Sequence, residues 1–378
     1  MDAIFFISAF FCVYSYFLYP VLLTLLPARR GGVAGDHGSH KLPTISLIIT
    51  AHNEAHRIAQ KIDNTLKLDY PDGRLEIIIA SDCSTDETDQ IVQSFSDSGV
   101  RLVRADARKG KEYAQLCAIR ASQGSVLVFS DVATQIEPGA LYALAGYFND
   151  SAIGAVSSED RFVSQDGAVV GEGAYVKYEM WLRGLESQRA GLVGLSGSFF
   201  AARREVCEAW DIAAPSDFNT ALNCTKHGLI AVSAPDVIGM YSDVKDASLE
   251  YRRKLRTIIR GITAISRHPE VLNPFKMGMF AFQVWSHKIL RWAVPWFMAL
   301  LLLVSIILSV QHWFFSLALM AQLGFYALVI AGHLSSELRS RTIIKIPYFF
   351  VQVNLAIAVA TIMFLRGERM TTWTPSKR

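Results

Sequence analysis

Hydrophobic and polar positions along the chain fall into two regimes. Between residues 45 and 130, short apolar runs alternate with polar stretches of helical period. ISLIIT (45–50) is almost continuously apolar, as strands buried on both faces of a parallel sheet are. EIIIA (76–80), VRLVRA (100–105) and SVLVFS (125–130) repeat the signal. Between them the pattern predicts helices over 55–66, from Ser84 to about 96, and over 111–121. Ser84 with Glu87 three residues on reads as a capping box for the second. Pro138 opens a further helix, where its missing N–H costs nothing, and another is expected over 216–227. This alternation predicts an α/β domain with a mostly parallel, Rossmann-like sheet.

Elsewhere the polar positions vanish. Residues 4–26, 292–310, 313–333 and 346–365 carry no Asp, Glu, Lys or Arg, and each approaches or exceeds the roughly 20 residues that cross a bilayer. Arg29 and Arg30 close the first segment, and no small-residue cleavage site follows it. It therefore reads as an anchor whose C-terminal end, and the polar stretch after it, lie in the cytoplasm. Residues 274–291 mix Phe, Met and Trp with Lys276, Lys288 and Arg291. That mixture suits a helix lying in the membrane interface, and equally an amphipathic helix packed on the polar domain. The expected organisation is an anchor over 1–30, an α/β domain over 40–270 and an interfacial segment over 271–291. Transmembrane helices follow over 292–366, then a basic tail over 367–378. Four full crossings would put that tail outside, against the positive-inside rule; a re-entrant or interfacial last segment would remove the conflict.

Composition agrees with a membrane protein. Of 378 residues 51% are hydrophobic and 19% charged, against about 25% charged in soluble domains. A net charge of +3 gives no support for a nucleic-acid partner. Five cysteines form neither a C-x-x-C pair nor an even-numbered framework, which suits a reducing compartment.

Ligands of open α/β sheets bind beyond the carboxyl ends of the strands. Ala51, His52, Asn53 and Glu54 follow the first strand, Asp82 the second and Asp131 the fourth. Neither G-x-G-x-x-G nor G-x-x-x-x-G-K-[ST] is present, so the two commonest nucleotide cradles are missing. Acids on one edge point instead to a divalent cation, Mg²⁺ or Mn²⁺, bridging to substrate phosphates. His52 and His227 are assigned no role.

These residues stand in an order that resembles the family 2 inverting glycosyltransferases of GT-A fold, in particular the membrane-anchored bacterial polysaccharide-synthesis branch. ISLIITAHNEAHRI resembles the family's opening strand with its N-E turn, and IIIASDCSTDET its second strand with the first aspartate. RKGKEYAQLCAI resembles the Lys/Gly segment, VFSDVAT the D-x-D strand end and SGSFFAARRE the acceptor-side stretch. PSDFNTAL stands at the catalytic acid pair and RRKLRTIIRG at Q-x-x-R-W. The resemblance implies a membrane-bound hexosyltransferase-type enzyme that moves a sugar from a nucleotide-diphosphate sugar, a UDP-sugar by expectation, to a lipid-linked or glycan acceptor. It implies that Ala51, Asn53, Glu54 and Asp82 hold the nucleotide, with Lys109 and Lys111 beside them. Asp131 would contact the sugar diphosphate and its Mg²⁺ or Mn²⁺. Asp217 would be the general base, and Arg253 and Arg256 would stabilise the departing diphosphate. The implied setting is the bacterial inner membrane, multi-pass, with the catalytic domain cytoplasmic and other polysaccharide-synthesis proteins as possible partners.

Four positions depart from the family pattern. Ala133 stands where D-x-D has its second acid, Ser216 precedes Asp217 where an acid is usual, and Arg253 and Thr257 replace the Gln and the Trp of Q-x-x-R-W. The lost Trp favours single additions over a processive polysaccharide synthase. Ala133, Ser216 and Thr257 together leave open a catalytically inactive nucleotide-binding subunit.

Overall fold

The computed structural model describes residues 1–29, 42–163, 174–242 and 247–370. Its described elements run α1 (Asp2–Val13), a π-turn (Tyr14–Leu18), α2 (Tyr19–Leu25), β1 (Ile45–Ala51), α3 (Ile58–Leu66) and β2 (Leu75–Ser81). Then come α4 (Thr88–Gln93), β3 (Val100–Arg104), α5 (Lys111–Ala121), β4 (Val126–Asp131), β5 (Gln135–Ile136), α6 (Ala140–Tyr147) and β6 (Ile153–Val163). They continue with α7 (Ala174–Ser187), β7 (Phe199–Arg203), α8 (Ser216–Lys226), β8 (Ile230–Ser242) and α9 (Ala247–Arg267). The chain closes with α10 (Pro274–Val284), a second π-turn (Trp285–Ile289), α11 (Leu290–Leu308), α12 (Trp313–Leu334), α13 (Ser336–Ser340) and α14 (Thr342–Leu365).

The chain divides into two compact units, one of Met1–Leu25, Tyr251–Ile259 and Phe282–Glu368, the other of Leu26–Glu250, Arg260–Ala281 and Arg369–Arg378. Four helical runs, Asp2–Leu25, Pro274–Leu308, Trp313–Leu334 and Thr342–Leu365, are long and apolar enough to cross a membrane. In the first unit Phe5 packs against Val304, Leu308 and Phe315. The two π-turns meet there, with Tyr14 and Ser286 sharing a hydrogen bond of 3.0 Å between their hydroxyls. The stretch expected at the interface is helical and runs into α11 through the second π-turn. It is broken only at Gly278, whose φ of 52° is a left-handed conformation that suits glycine.

The second unit is built on one eight-stranded sheet in the order β3-β2-β1-β4-β7-β6-β8-β5. The half that the apolar runs predict is parallel: β1 lies between β2 and β4, and β2 pairs β3. The other half is mixed, since β7 runs antiparallel to β4 and β6 while β6 and β8 pair in parallel. Successive residues of β1 feed opposite cores. Ile45, Leu47 and Ile49 meet Ile58 and Ile62 of α3 with Leu141 and Leu144 of α6 on one face. Ile48 meets Ala114 and Ala118 of α5 with Ala221 and Cys224 of α8 on the other. Each such aliphatic side chain contributes about 1.5–3 kcal/mol on burial, and the double burial is why no alternation appears in the strand sequence.

The amino ends of the strands are locked by Ser46, whose hydroxyl donates to Glu76 and accepts from the Gly124 amide at 2.7 Å. A Cβ at Gly124 would stand 2.4 Å from the Ser46 nitrogen. Only glycine allows that approach.

The capping box expected at Ser84 does not form. Helix α4 begins at Thr88, and the Ser84 hydroxyl accepts from the Asn53 amide at 3.2 Å instead. Asp86 takes over at the helix start, its carboxylate accepting from the Thr88 amide at 3.0 Å. A short side chain able to reach a neighbouring loop is drawn there in preference to its own helix.

Candidate active site

The carboxyl ends of β1, β2 and β4 lie side by side in the sheet, and Ala51, Asn53, Glu54, Asp82 and Asp131 of the predicted site stand on them. Asp82 follows β2 directly and is fully buried. One of its oxygens accepts from the amides of Lys109 and Gly110, each at 3.2 Å. Gly110 adopts φ 101° to present its amide, a conformation open to glycine. The other oxygen of Asp82 is buried with no hydrogen-bond partner. Such a group is costly unless something donates to it, and this oxygen is left able to accept an N–H or O–H.

The loop after β1 has a supporting role. The Ala51 carbonyl accepts from the Asp82 amide at 2.9 Å, and buried His52 bonds the Asp82 carbonyl at 2.7 Å through Nδ1. Asn53, left-handed at φ 54°, accepts from the Thr85 amide at 2.8 Å. Glu54 is buried and pairs with Arg57 through both carboxylate oxygens. The Asn53 side chain thus staples the loops of β1 and β2 together, and the Glu54 amide adds a bond to the Thr88 hydroxyl at 2.8 Å. Lys109 lies over the Tyr113 ring, 4.3 Å from its centre.

Lys111 makes the central connection. Its ammonium donates to Asp131 Oδ1 at 2.5 Å and to the Gly197 carbonyl at 2.9 Å. Gly197 lies in the loop before β7, a loop tied to Asp131 again by the bond from the Asp131 amide to the Ser198 carbonyl at 2.9 Å. On its other side that loop meets Asp217. The Leu195 amide donates to the Asp217 carbonyl at 3.3 Å, and a Cβ built on Gly197 would stand 3.2 Å from Asp217 Oδ2. Asp217 occupies the first turn of α8, whose cap is Pro215 with no side-chain cap bond. Its carboxylate is therefore not spent on capping the helix. One tripeptide, Ser196-Gly197-Ser198, thus lies between Asp131, which it meets through Lys111 and the Asp131 amide, and Asp217.

Residues that sequence reasoning passed over hold this edge in place. Glu112, buried, accepts from the Ser216 amide at 3.4 Å and pairs with buried Arg260 at 2.7 Å, which fixes the start of α8. Asp160 accepts from the hydroxyls of Ser196 at 2.6 Å and Ser198 at 2.7 Å. Lys61 of α3 is wholly buried, and burial lowers its pKa to about 7 against the opposing pull of Asp131. None of the three carries a local signal. Arg253 and Arg256 belong to the membrane-helix unit and Arg260 to the sheet unit, although all three share α9.

Among the described residues no group of three or more His, Cys, Asp or Glu could hold a metal ion. Asp131 is the only acid of its Asp131-Val132-Ala133 turn. A single carboxylate still fits Mg²⁺ or Mn²⁺, which are commonly held by one or two carboxylates plus substrate phosphates.

The Gly197 contact is testable. Gly197→Ala puts a methyl group against the Asp217 carboxylate without removing any charged group. The carboxylate has to give by only a few tenths of an ångström, and a full 1 Å misplacement costs up to about 10²-fold, so turnover is expected to fall about two- to five-fold with the nucleotide affinity retained. Wild-type turnover in Gly197→Ala would show that Asp217 need not occupy its observed position.

Residues 46–210 match the family described as Glycosyl transferase family 2. Over 183 residues the chain is 31% identical to the probable glycosyltransferase YdaM of Bacillus subtilis (strain 168), covering 45% of this chain and 44% of that one. It is 26% identical over 179 residues to a beta-monoglucosyldiacylglycerol synthase of Nostoc sp. (strain PCC 7120 / SAG 25.82 / UTEX 2576), covering 45% and 38%. The chain thus spans under half the length of these curated relatives. The solved mannosyltransferase PcManGT of Pyrobaculum calidifontis, in complex with GDP-Man and Mn²⁺, has the same fold. It superposes at TM-score 0.74 with 22% identity, over 97% of this chain and 99% of that one.

Proposed function

We propose that this chain, whose residues 46–210 are a family 2 glycosyl transferase domain of GT-A fold, is an inverting glycosyltransferase. It would move a sugar from a nucleoside-diphosphate sugar, UDP-linked by preference, to a hydroxyl of a lipid-linked or glycan acceptor at the membrane. The observation that carries the reading is Lys111, which bridges Asp131 to the loop lying against Asp217. A diphosphate-binding acid and an acid able to act as base therefore share one sheet edge.

The unpartnered oxygen of Asp82 receives a donor N–H or O–H from the nucleotide's base or ribose. Asp131 holds Mg²⁺ or Mn²⁺ together with the donor diphosphate, and the ion when bound neutralises charge on the phosphates. Lys111 supplies a fixed positive charge at the same place. Asp217 takes the proton from the acceptor hydroxyl as its oxygen bonds the anomeric carbon. The bond from that carbon to the diphosphate breaks on the opposite face, which inverts the configuration. Arg253 and Arg256 are assigned to the leaving diphosphate by their place in the family motif. The apolar helices, with a glycolipid synthase among the relatives, support a chain seated in the bacterial inner membrane with its sheet unit facing the cytoplasmic donor pool.

The test is nucleotide release by the detergent-purified chain against UDP-, GDP- and dTDP-sugars, with Mg²⁺, Mn²⁺ or EDTA and membrane lipid extract as acceptor source. Metal-dependent release from one donor is the expected result. Nucleotide binding without release from any donor, with lipid extract and polysaccharide fragments both present, would assign the chain to the inactive-subunit reading. Long polymers from the purified chain alone would replace single addition with processive synthesis.

A further inference from the structure

Lys61 is a lysine in the hydrophobic interior, on the face of α3 that packs under β4. It is 3% exposed. Its amine donates to the Ser130 hydroxyl at 2.9 Å and to the Thr134 carbonyl. Those two residues bracket Asp131-Val132-Ala133. The network runs one step further, because the Ser130 hydroxyl donates to the Asp131 carbonyl at 3.1 Å, and that carbonyl also accepts from the Thr134 amide at 3.2 Å. A lysine amine thus closes a ring of hydrogen bonds around the turn that presents Asp131. Beside it, Ala133 lines a cavity of about 320 Å³ together with Arg57, Gln60, Lys61 and Gln135.

Stability does not explain the placement. Lysine is almost never fully buried, and taking its charge from water costs several kcal/mol. The lowered pKa is that cost made visible. A methionine of similar length would fill the space with no charge to desolvate. What the amine supplies and a methionine lacks is two donors aimed at the two ends of one turn. That turn carries a single acid where its family pattern has two, so the placement of Asp131 is not backed by a second ligand.

We propose that Lys61 is a positioning residue of the donor site: it clamps the 130–134 turn and so sets where Asp131 meets the metal and diphosphate. The inference rests on the reading of Asp131 as the residue that holds the metal–diphosphate group. Groups that orient a metal ligand from behind typically change metal affinity by roughly 10–100-fold when removed, and Lys61 belongs to that range.

The experiment compares wild type, Lys61→Met, Ser130→Ala and Asp131→Asn as full-length chains in detergent. Mn²⁺ affinity is read by electron paramagnetic resonance in the presence of UDP and, separately, GDP, alongside the thermal midpoint of each protein. Lys61→Met is expected to keep or raise the midpoint while weakening Mn²⁺ binding at least ten-fold in the nucleotide complex. Ser130→Ala, which removes one acceptor and leaves the carbonyl, weakens it less. A folded Lys61→Met protein whose Mn²⁺ affinity stays within two-fold of wild type overturns the proposal. Should Lys61→Met not fold, unchanged Mn²⁺ affinity in Ser130→Ala, which removes one of the two ends the amine holds, overturns it equally. Asp131→Asn separates the two levels: if it too retains wild-type affinity, the metal role of Asp131 fails and not the clamp alone.

Discussion

Asp217→Asn is expected to abolish sugar transfer while leaving the protein folded and able to bind its donor. The amide keeps the shape of the carboxylate beside Gly197 but cannot take a proton from an acceptor hydroxyl. Loss of a positioned general base costs about 10²–10⁴-fold. The structural cost is small by comparison. Asp217 sits in the first turn of α8 without capping it, so the change removes a favourable charge–dipole interaction of about 0.3–1 kcal/mol. Nucleotide release and the thermal midpoint, measured on the same preparation, distinguish the two effects. Turnover within a few-fold of wild type would remove Asp217 from the mechanism and leave the base to be sought elsewhere on this edge.

Asp131→Asn has the second-largest effect and a different signature. It takes the ionic partner from Lys111 and the only carboxylate from its turn. Electrostatic groups at developing charge are worth about 10²–10³ in rate. Asp131→Asn should therefore lower kcat by about that factor and, unlike Asp217→Asn, also raise the donor KM and the Mn²⁺ concentration needed for half-maximal activity. An unchanged metal requirement would place the cation, if one is used, on other groups. The two variants together divide the edge into a donor-holding side and a proton-accepting side.

The parallel half of the sheet is legible because its strands are buried on both faces, so that ISLIIT, EIIIA and SVLVFS stand out against polar helices. The mixed half is not. Strand β6 carries Ser157, Ser158, Glu159 and Asp160 in succession, and its pairing with β8 shifts register at Ser158. On β8, Pro235 falls within the resulting bulge, between Ala234 and Ile238. Polar residues satisfied by tertiary contacts, as Ser158 is by the Phe199 carbonyl at 2.7 Å, erase the pattern that would have announced a strand.

The site divides in the same way. Asp82, Asp131 and Asp217 are visible because they follow recognisable strands or match ordered motifs. Lys61, Glu112 and Gly197 matter through partners 69, 148 and 20 positions away, at Ser130, Arg260 and Asp217 respectively. No local period or spacing encodes such a meeting. Asn53 and Glu54 show the converse: their motif is plain, yet in the folded chain their side chains bind Thr85 and Arg57.

The Glu112–Arg260 pair has a consequence for biogenesis. Helix α5 is synthesised early, and the cation that neutralises its buried glutamate emerges only after the rest of the sheet has been made. At a synthesis rate of about 5–20 residues per second, that interval lasts roughly 7–30 s. Burying the lone carboxylate in that time would cost several kcal/mol, so the start of α8 has no settled anchor until α9 has left the ribosome. The anchor at the start of α8 therefore depends on a residue made after every strand of the sheet, so the strands can pair before Asp217 is held in its place.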